Sequence, residues 1–166
     1  AIVIDTQPPT STISSAQYDG STGTITITGD NFNTLGVSNG VDVKTYLNWA
    51  KLSWDIDFGD TDSSLSNVTF EEADITSAVV TNKTTLTVVL TSDAKTSLHA
   101  TTGFAAEGDA TNPNDSIDIT AGFIRDTALN AATTDAKDNA TLTYADTTAP
   151  TISSITSDKT DGAYGV

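Results

Sequence analysis

The 166-residue sequence contains no cysteine and no methionine. Disulfides, thiolate metal sites and thiol redox chemistry are therefore closed to it. His99 is the only histidine, so a zinc centre of the usual nitrogen and sulfur donors cannot be assembled. No Ser/His/Asp order stands out for nucleophilic catalysis, and Glu71, Glu72 and Glu107 carry no spacing that marks a glycosidase pair. Basic residues are scarce: 7 Lys and Arg stand against 22 Asp and Glu, a net charge of −15. That balance excludes the basic footprint needed to bind nucleic acid and disfavours anionic membrane surfaces. Apolar runs stay short, so direct membrane insertion is not expected and no signal peptide is visible. Position 1 is not Met. The expectation is a piece of a longer polypeptide whose export and anchoring elements lie elsewhere.

Threonine is what the chain has in plenty, about a fifth of all residues. It is β-branched, favours strands and keeps exposed strand faces wet. Period-2 alternation recurs accordingly. In Thr24-Ile25-Thr26-Ile27-Thr28, Ile points to one side and Thr to the other, before a stop at Gly29-Asp30-Asn31. From Leu52 to Phe58, alternation places Leu52, Trp54, Ile56 and Phe58 on one face. Further strands are expected at Ile2–Ile4, Ile13–Tyr18, Val41–Leu47, Asn67–Phe70, Ile75–Val80, Thr85–Thr91, Ile117–Ile124 and Thr141–Tyr144. Only Ser92–Ala100 reads as helix, with Ser92 as its cap and Leu98 facing the core. Many short strands with at most one short helix predict an all-β, Ig-like antiparallel β-sandwich.

An internal echo organises the chain. Asp5-Thr6-Gln7-Pro8-Pro9-Thr10 returns as Asp146-Thr147-Thr148-Ala149-Pro150-Thr151, each copy leading into Thr-Ile-Ser-Ser at Thr12–Ser15 and Thr151–Ser154. From Asp5 to Asp146 the period is 141 residues, the size of one sandwich. Residues 1–8 then form the last strand of one repeat and its linker, 9–149 a complete repeat, and 150–166 the start of the next.

These junctions resemble those of the Ig-like tandem repeats, or extender modules, of giant bacterial cell-surface proteins, including RTX-type adhesins. Such repeats open on a D-T-x-x-P-T junction, here Asp5–Thr10, and continue to T-G-x-N-F, here Thr28-Gly29-Asp30-Asn31-Phe32. They close with D-x-A-G-N, whose place is held by Asp126-Thr127-Ala128-Leu129-Asn130, with Leu129 where the family has Gly. Asp135-Ala136-Lys137-Asp138-Asn139 is a second imperfect version. Leu in place of Gly puts the turn geometry in question, because Gly tolerates positive φ and Leu does not. The resemblance implies an Ig-like fold, calcium at the repeat junctions and a spacer or adhesive role in an extracellular surface protein of biofilms.

Calcium is also what the charge excess calls for, since a chain this acidic repels itself and Ca²⁺ prefers oxygen ligands. Asp5 and Asp146 are the candidates at the junctions, with Asp126, Asp135, Asp138 and Asn139 as partners if that loop lies near a joint. Asp55, Asp57, Asp60 and Asp62 form a second candidate, two on one strand face and two in the following turn. The ordinary alternative is a set of solvated turns, and an Asp-Thr that merely starts a turn before Pro. The loop bearing Asp109, Asn112, Asn114 and Asp115 is a candidate recognition site. Trp49, five residues from Trp54, should face the opposite side of a continuous strand and could stack on a sugar.

The function these features suggest is a non-catalytic, calcium-stiffened extender whose partners are neighbouring repeats of the same polypeptide. The alternatives are a module that itself binds a host or biofilm glycan or protein, and a filament subunit assembled by strand addition.

Overall fold

The structure is a computed structural model and describes residues 4–56, 67–105 and 115–145. Eight strands are formed: β1 (Thr12–Asp19), β2 (Thr24–Asp30), β3 (Leu52–Asp55), β4 (Val68–Thr69), β5 (Ile75–Asn82), β6 (Thr85–Leu90), β7 (Ser116–Ile119) and β8 (Lys137–Ala145), with one α-helix, α1 (Ser92–His99). They lie in the order β4-β3-β7-β8-β1-β2-β6-β5. All pairings are antiparallel except β1 with β8, which is parallel and joins two antiparallel sheets along one seam. Lettered A, B, C, C′, D, E, F and G in chain order, the sheets are ABED and C′CFG, the immunoglobulin order. The fold is an all-β, Ig-like sandwich, as the alternation predicts.

Alternation accounts for the core. Ile25 and Ile27 of β2, Leu86, Val88 and Leu90 of β6, and Ile117 and Ile119 of β7 are buried, while the residues between them are not. Leu52, Trp54 and Ile56 are buried as expected, with Trp54 fully enclosed. Phe58 lies outside the described residues, as does Ile2–Val3 of the first expected strand. Trp54 meets Tyr18 of β1 edge-on, ring centroids 5.0 Å apart, so the two sheets lock through a pair of aromatics. Helix α1 lies between β6 and the 100–105 turns, and its Leu98 is buried. Its cap is Thr91 rather than Ser92: the Thr91 hydroxyl accepts the Ala94 N–H.

The Thr28–Phe32 motif has a steric cause. A Cβ on Gly29 would collide with the Thr12 carbonyl oxygen of β1 and with the Phe32 ring. Asn31 turns the chain at φ +60°, a left-handed conformation Asn tolerates, and Phe32 is then buried.

Two expected strands are shorter than the pattern suggests. Val41–Leu47 contributes a single bridge, Asp42 to Val79, after which the chain folds into turns. Ile117–Ile124 stops at Ile119, because Gly122 takes φ +93° and the chain turns away.

The parallel β1/β8 seam sets the polarity of the molecule. Both strands run from the end that carries the 120–136 loop to the end that carries the β1–β2 turn and α1. The chain therefore enters β1 at one end, here called the entry end, and completes β8 at the other, the exit end.

Candidate functional site

At the entry end, residues 5–11 are stitched onto the sandwich. The Asn31 side-chain amide donates to the Thr10 carbonyl at 3.4 Å, the Thr10 N–H donates to Thr34 Oγ1 at 3.2 Å, and Thr134 Oγ1 donates to the Ser11 carbonyl at 2.9 Å. Ser11 is buried and its hydroxyl donates to the Asn31 carbonyl. Asn130 adds a clasp further out: its Nδ2 donates both to Asp126 Oδ2 at 2.9 Å and to the Asp5 backbone carbonyl at 3.1 Å. The 126–130 loop thus lies beside the Asp5 junction.

The carboxylates of that loop are already engaged. Asp126 Oδ1 accepts the N–H groups of Ala128 and Asn130, both at 2.9 Å. Asp135 is fully buried and spans the loop, accepting Gly122 N–H on Oδ1 at 2.9 Å and Ile124 N–H on Oδ2 at 2.7 Å. Inside the protein such groups must find partners, and here each carboxylate is the partner of otherwise orphaned backbone donors. Asp5 Oδ1 accepts the Gln7 N–H at 3.0 Å, the turn before Pro that was the ordinary alternative. Among the described residues, no three His, Cys, Asp or Glu side chains come together closely enough to hold a metal ion. Asp126 and Asp135 are thus hydrogen-bond hubs for backbone donors. Asp138 is exposed on β8. Asp146 lies outside the described residues, and the Asn139 side chain is not described.

At the exit end, the pairing of Asp55 with Ser116 sets the end of β3 beside the start of β7. The acidic run continuing through Asp57, Asp60 and Asp62 and the loop of Asp109, Asn112 and Asn114 join the fold at these adjacent points, though all six residues lie outside the described ones. On the outer face, Asp55 of β3, Asp118 of β7 and Asp138 of β8 occupy neighbouring strands. Asp118 escaped the sequence reading, although its place between Ile117 and Ile119 marks it as outward. Burial first, and then the charges of Asp118, Asp115 and Asp138, hold the Asp55 carboxyl above its ordinary range. Ser116 Oγ, also on this face, is buried and has no hydrogen-bond partner among the described residues.

Asp115 does not belong to an open recognition loop. It is buried, and its Oδ2 accepts Trp54 Nε1–H at 2.7 Å and Ala105 N–H at 3.2 Å. Trp49 also differs from expectation. A 3₁₀ turn at Trp49–Lys51 breaks the strand before β3, so face counting from Trp54 fails. Trp49 turns inward, is buried, meets Phe123 edge-on at 5.6 Å and donates Nε1–H to the Lys44 carbonyl. Its ring is not open to a sugar.

His99 closes the aromatic cluster at the exit end. Its Nε2 is 2.8 Å from the Tyr18 hydroxyl and its ring stacks on Phe104 at 4.7 Å. Burial pushes the Tyr18 hydroxyl up to about 12, with the Asp19 charge adding to it. Burial, and then Lys95, lower the His99 pKa below its usual 6.5. The native state thus resists protonation that the unfolded chain accepts near 6.5, so stability falls as pH drops through that value and recovers above it. Between pH 7.5 and 5 the melting temperature of the parent should fall further than that of His99→Gln; parallel curves would detach His99 from the pH response.

A groove of about 150 Å³ lies between β4 and α1, lined by Val68, Phe70, Asp74, Asp93, Ala94 and Leu98 among others. Comparison of the chain with protein families, curated proteins and solved structures gives no match.

Proposed function

We propose that this chain is a non-catalytic spacer module of a long extracellular bacterial surface protein, joined in series to repeats of its own kind. The observation that carries the reading is the polarity of the sandwich: the chain enters at one end, leaves at the other, and its entering segment is stitched to the body by Asn31, Thr34, Asn130 and Thr134. Modules so built lend themselves to being strung end to end. The echo of Asp5–Thr10 at Asp146–Thr151 supplies the repeat, with 9–149 as the unit. Surplus negative charge keeps such an array soluble and extended.

The rival reading, a module that grips a glycan or protein, has the groove beside α1 in its favour. At about 150 Å³ it falls below the several hundred Å³ of ordinary ligand sites. Assembly by strand addition meets a physical obstacle at β5, an edge strand whose outer hydrogen bonds are occupied. Gly40 N–H and Val43 N–H donate to the Val80 and Ala78 carbonyls, and the Ala78 N–H donates to Asp42 Oδ1.

In this reading the entry-end joint is held by hydrogen bonds, with Asp126 and Asp135 accepting backbone N–H groups. Any calcium response belongs to the acidic segments that meet the fold beside Asp55 and Ser116, or to Asp146. A weak site with Kd of about 10⁻⁴–10⁻³ M would add about 0.4–1.4 kcal/mol in millimolar calcium. The test of function is the native polypeptide. It should carry many such units at a period of about 141 residues, and the isolated module should be retained on no glycan array. A native chain with a single unit would overturn the reading. Calorimetry with EDTA and with stepped CaCl₂, repeated on Asp57→Ala and Asp126→Ala, locates the ion: a shift should survive Asp126→Ala.

A further inference from the structure

Two large apolar side chains stand exposed at the entry end. Ile4 is 76% and Leu129 56% exposed. They are neighbours of the two residues that the clasp joins, since Asn130 Nδ2 donates to the Asp5 carbonyl. Leu129 is unusual in a second way. It sits at φ +66°, where an L residue other than Asn or Asp is disfavoured because its Cβ crowds the following carbonyl. A strained backbone and an unburied leucine thus coincide at one residue, beside the incoming chain. The Asp126 carboxylate, which accepts the flanking N–H groups of Ala128 and Asn130, holds the turn in place.

The echo says what lies on the other side. Asp5 is equivalent to Asp146, so Ile4 is equivalent to Ala145, the last residue of β8. Ile4 is then the end of the preceding module's exit strand, and Leu129 belongs to the module it enters. We infer that Leu129 is the seat of an inter-module joint: it packs against Ile4 and the exit end of the preceding copy of this fold, while Asn130 clasps the linker carbonyl beside it. This rests on the reading of the chain as one unit of an array. A tethered copy needs little contact area to dock, because the linker keeps it at high effective concentration. The joint is stiffened by an apolar contact and an amide clasp that need no ion.

The seat and the fold make opposite demands on Leu129, and the experiment exploits that. Two copies are joined in the register of the echo, residues 1–145 followed directly by 5–166, with Ala145→Ile so that the joint keeps its isoleucine. Leu129→Gly, and separately Leu129→Asn, are placed in the second copy of this tandem and in the single chain. In the single chain, Leu129→Gly should raise the melting temperature by about 2–4 °C as the backbone strain is relieved. In the tandem, NMR relaxation should show the parent modules tumbling with one correlation time. Both variants should split this into two shorter ones, and EDTA should leave the parent unchanged. A parent whose modules tumble independently overturns the inference. So does a Leu129→Gly tandem as rigid as the parent. A native polypeptide with only one module would instead remove the array itself, whatever the tandem does.

Discussion

Trp54→Ala should cost about 3–5 kcal/mol, a fall in melting temperature of roughly 10 °C or more. Trp54 is fully enclosed and touches both sheets. Its ring packs edge-on against Tyr18, lies 5.6 Å from Phe104, and donates Nε1–H to the buried Asp115 at 2.7 Å. Truncation therefore leaves a void between the sheets and takes a strong donor from a carboxylate that water cannot reach. Trp54→Phe divides the two contributions. It fills most of the space but supplies no N–H, and should still cost about 1–3 kcal/mol. Denaturant unfolding of both variants checks this, and a loss below about 1 kcal/mol for Trp54→Ala would contradict the packing described.

Asp135→Ala should be comparably severe, although it removes no apolar surface. Its two oxygens satisfy the N–H groups of Gly122 and Ile124 inside the entry-end loop. Deletion strands both donors, at about 1–3 kcal/mol each, for a total of about 2–6 kcal/mol. Asp135→Asn retains one acceptor and should lose about half as much. Hydrogen exchange at the Gly122 and Ile124 amides should quicken in both variants. The losses should be the same with EDTA and with calcium; a loss that vanished in EDTA would mean that Asp135 serves an ion after all.

Much of the sandwich was legible because its signals are local. Ile25 and Ile27 against Thr24, Thr26 and Thr28 need only a period of two, and Leu52, Trp54 and Ile56 follow the same rule. Leu98 was found from a single turn of helix. Errors came where the chain changed direction without a punctuating residue that could be read in isolation. Nothing near Trp49 announces the 3₁₀ turn that rotates it inward, and Val41 and Val43 alternate like a strand although only Asp42 forms a bridge. The Leu129 departure from Gly was visible, but its sense was not. The turn keeps positive φ despite the leucine, and a sequence cannot show that a strained conformation is being held. The acidic residues were the least legible. Whether a carboxylate faces an ion or a ring of N–H groups depends on backbone donors supplied by folding: Gly122 and Ile124 reach Asp135 only once the chain has turned at Gly122.

The parallel seam between β1 and β8 has a mechanical consequence. Ala16, Gln17, Tyr18 and Asp19 pair with Leu142, Thr143, Tyr144 and Ala145. A tensile load applied between the segment entering β1 and the chain leaving β8 runs along both strands in opposite senses. It therefore shears these hydrogen bonds all at once instead of unzipping them one by one. The seam must yield as a unit, together with the Tyr18–Trp54 contact behind it, before the sandwich can extend. Resistance to pulling is then set by the rate of crossing one concerted barrier and not by the equilibrium stability of the fold.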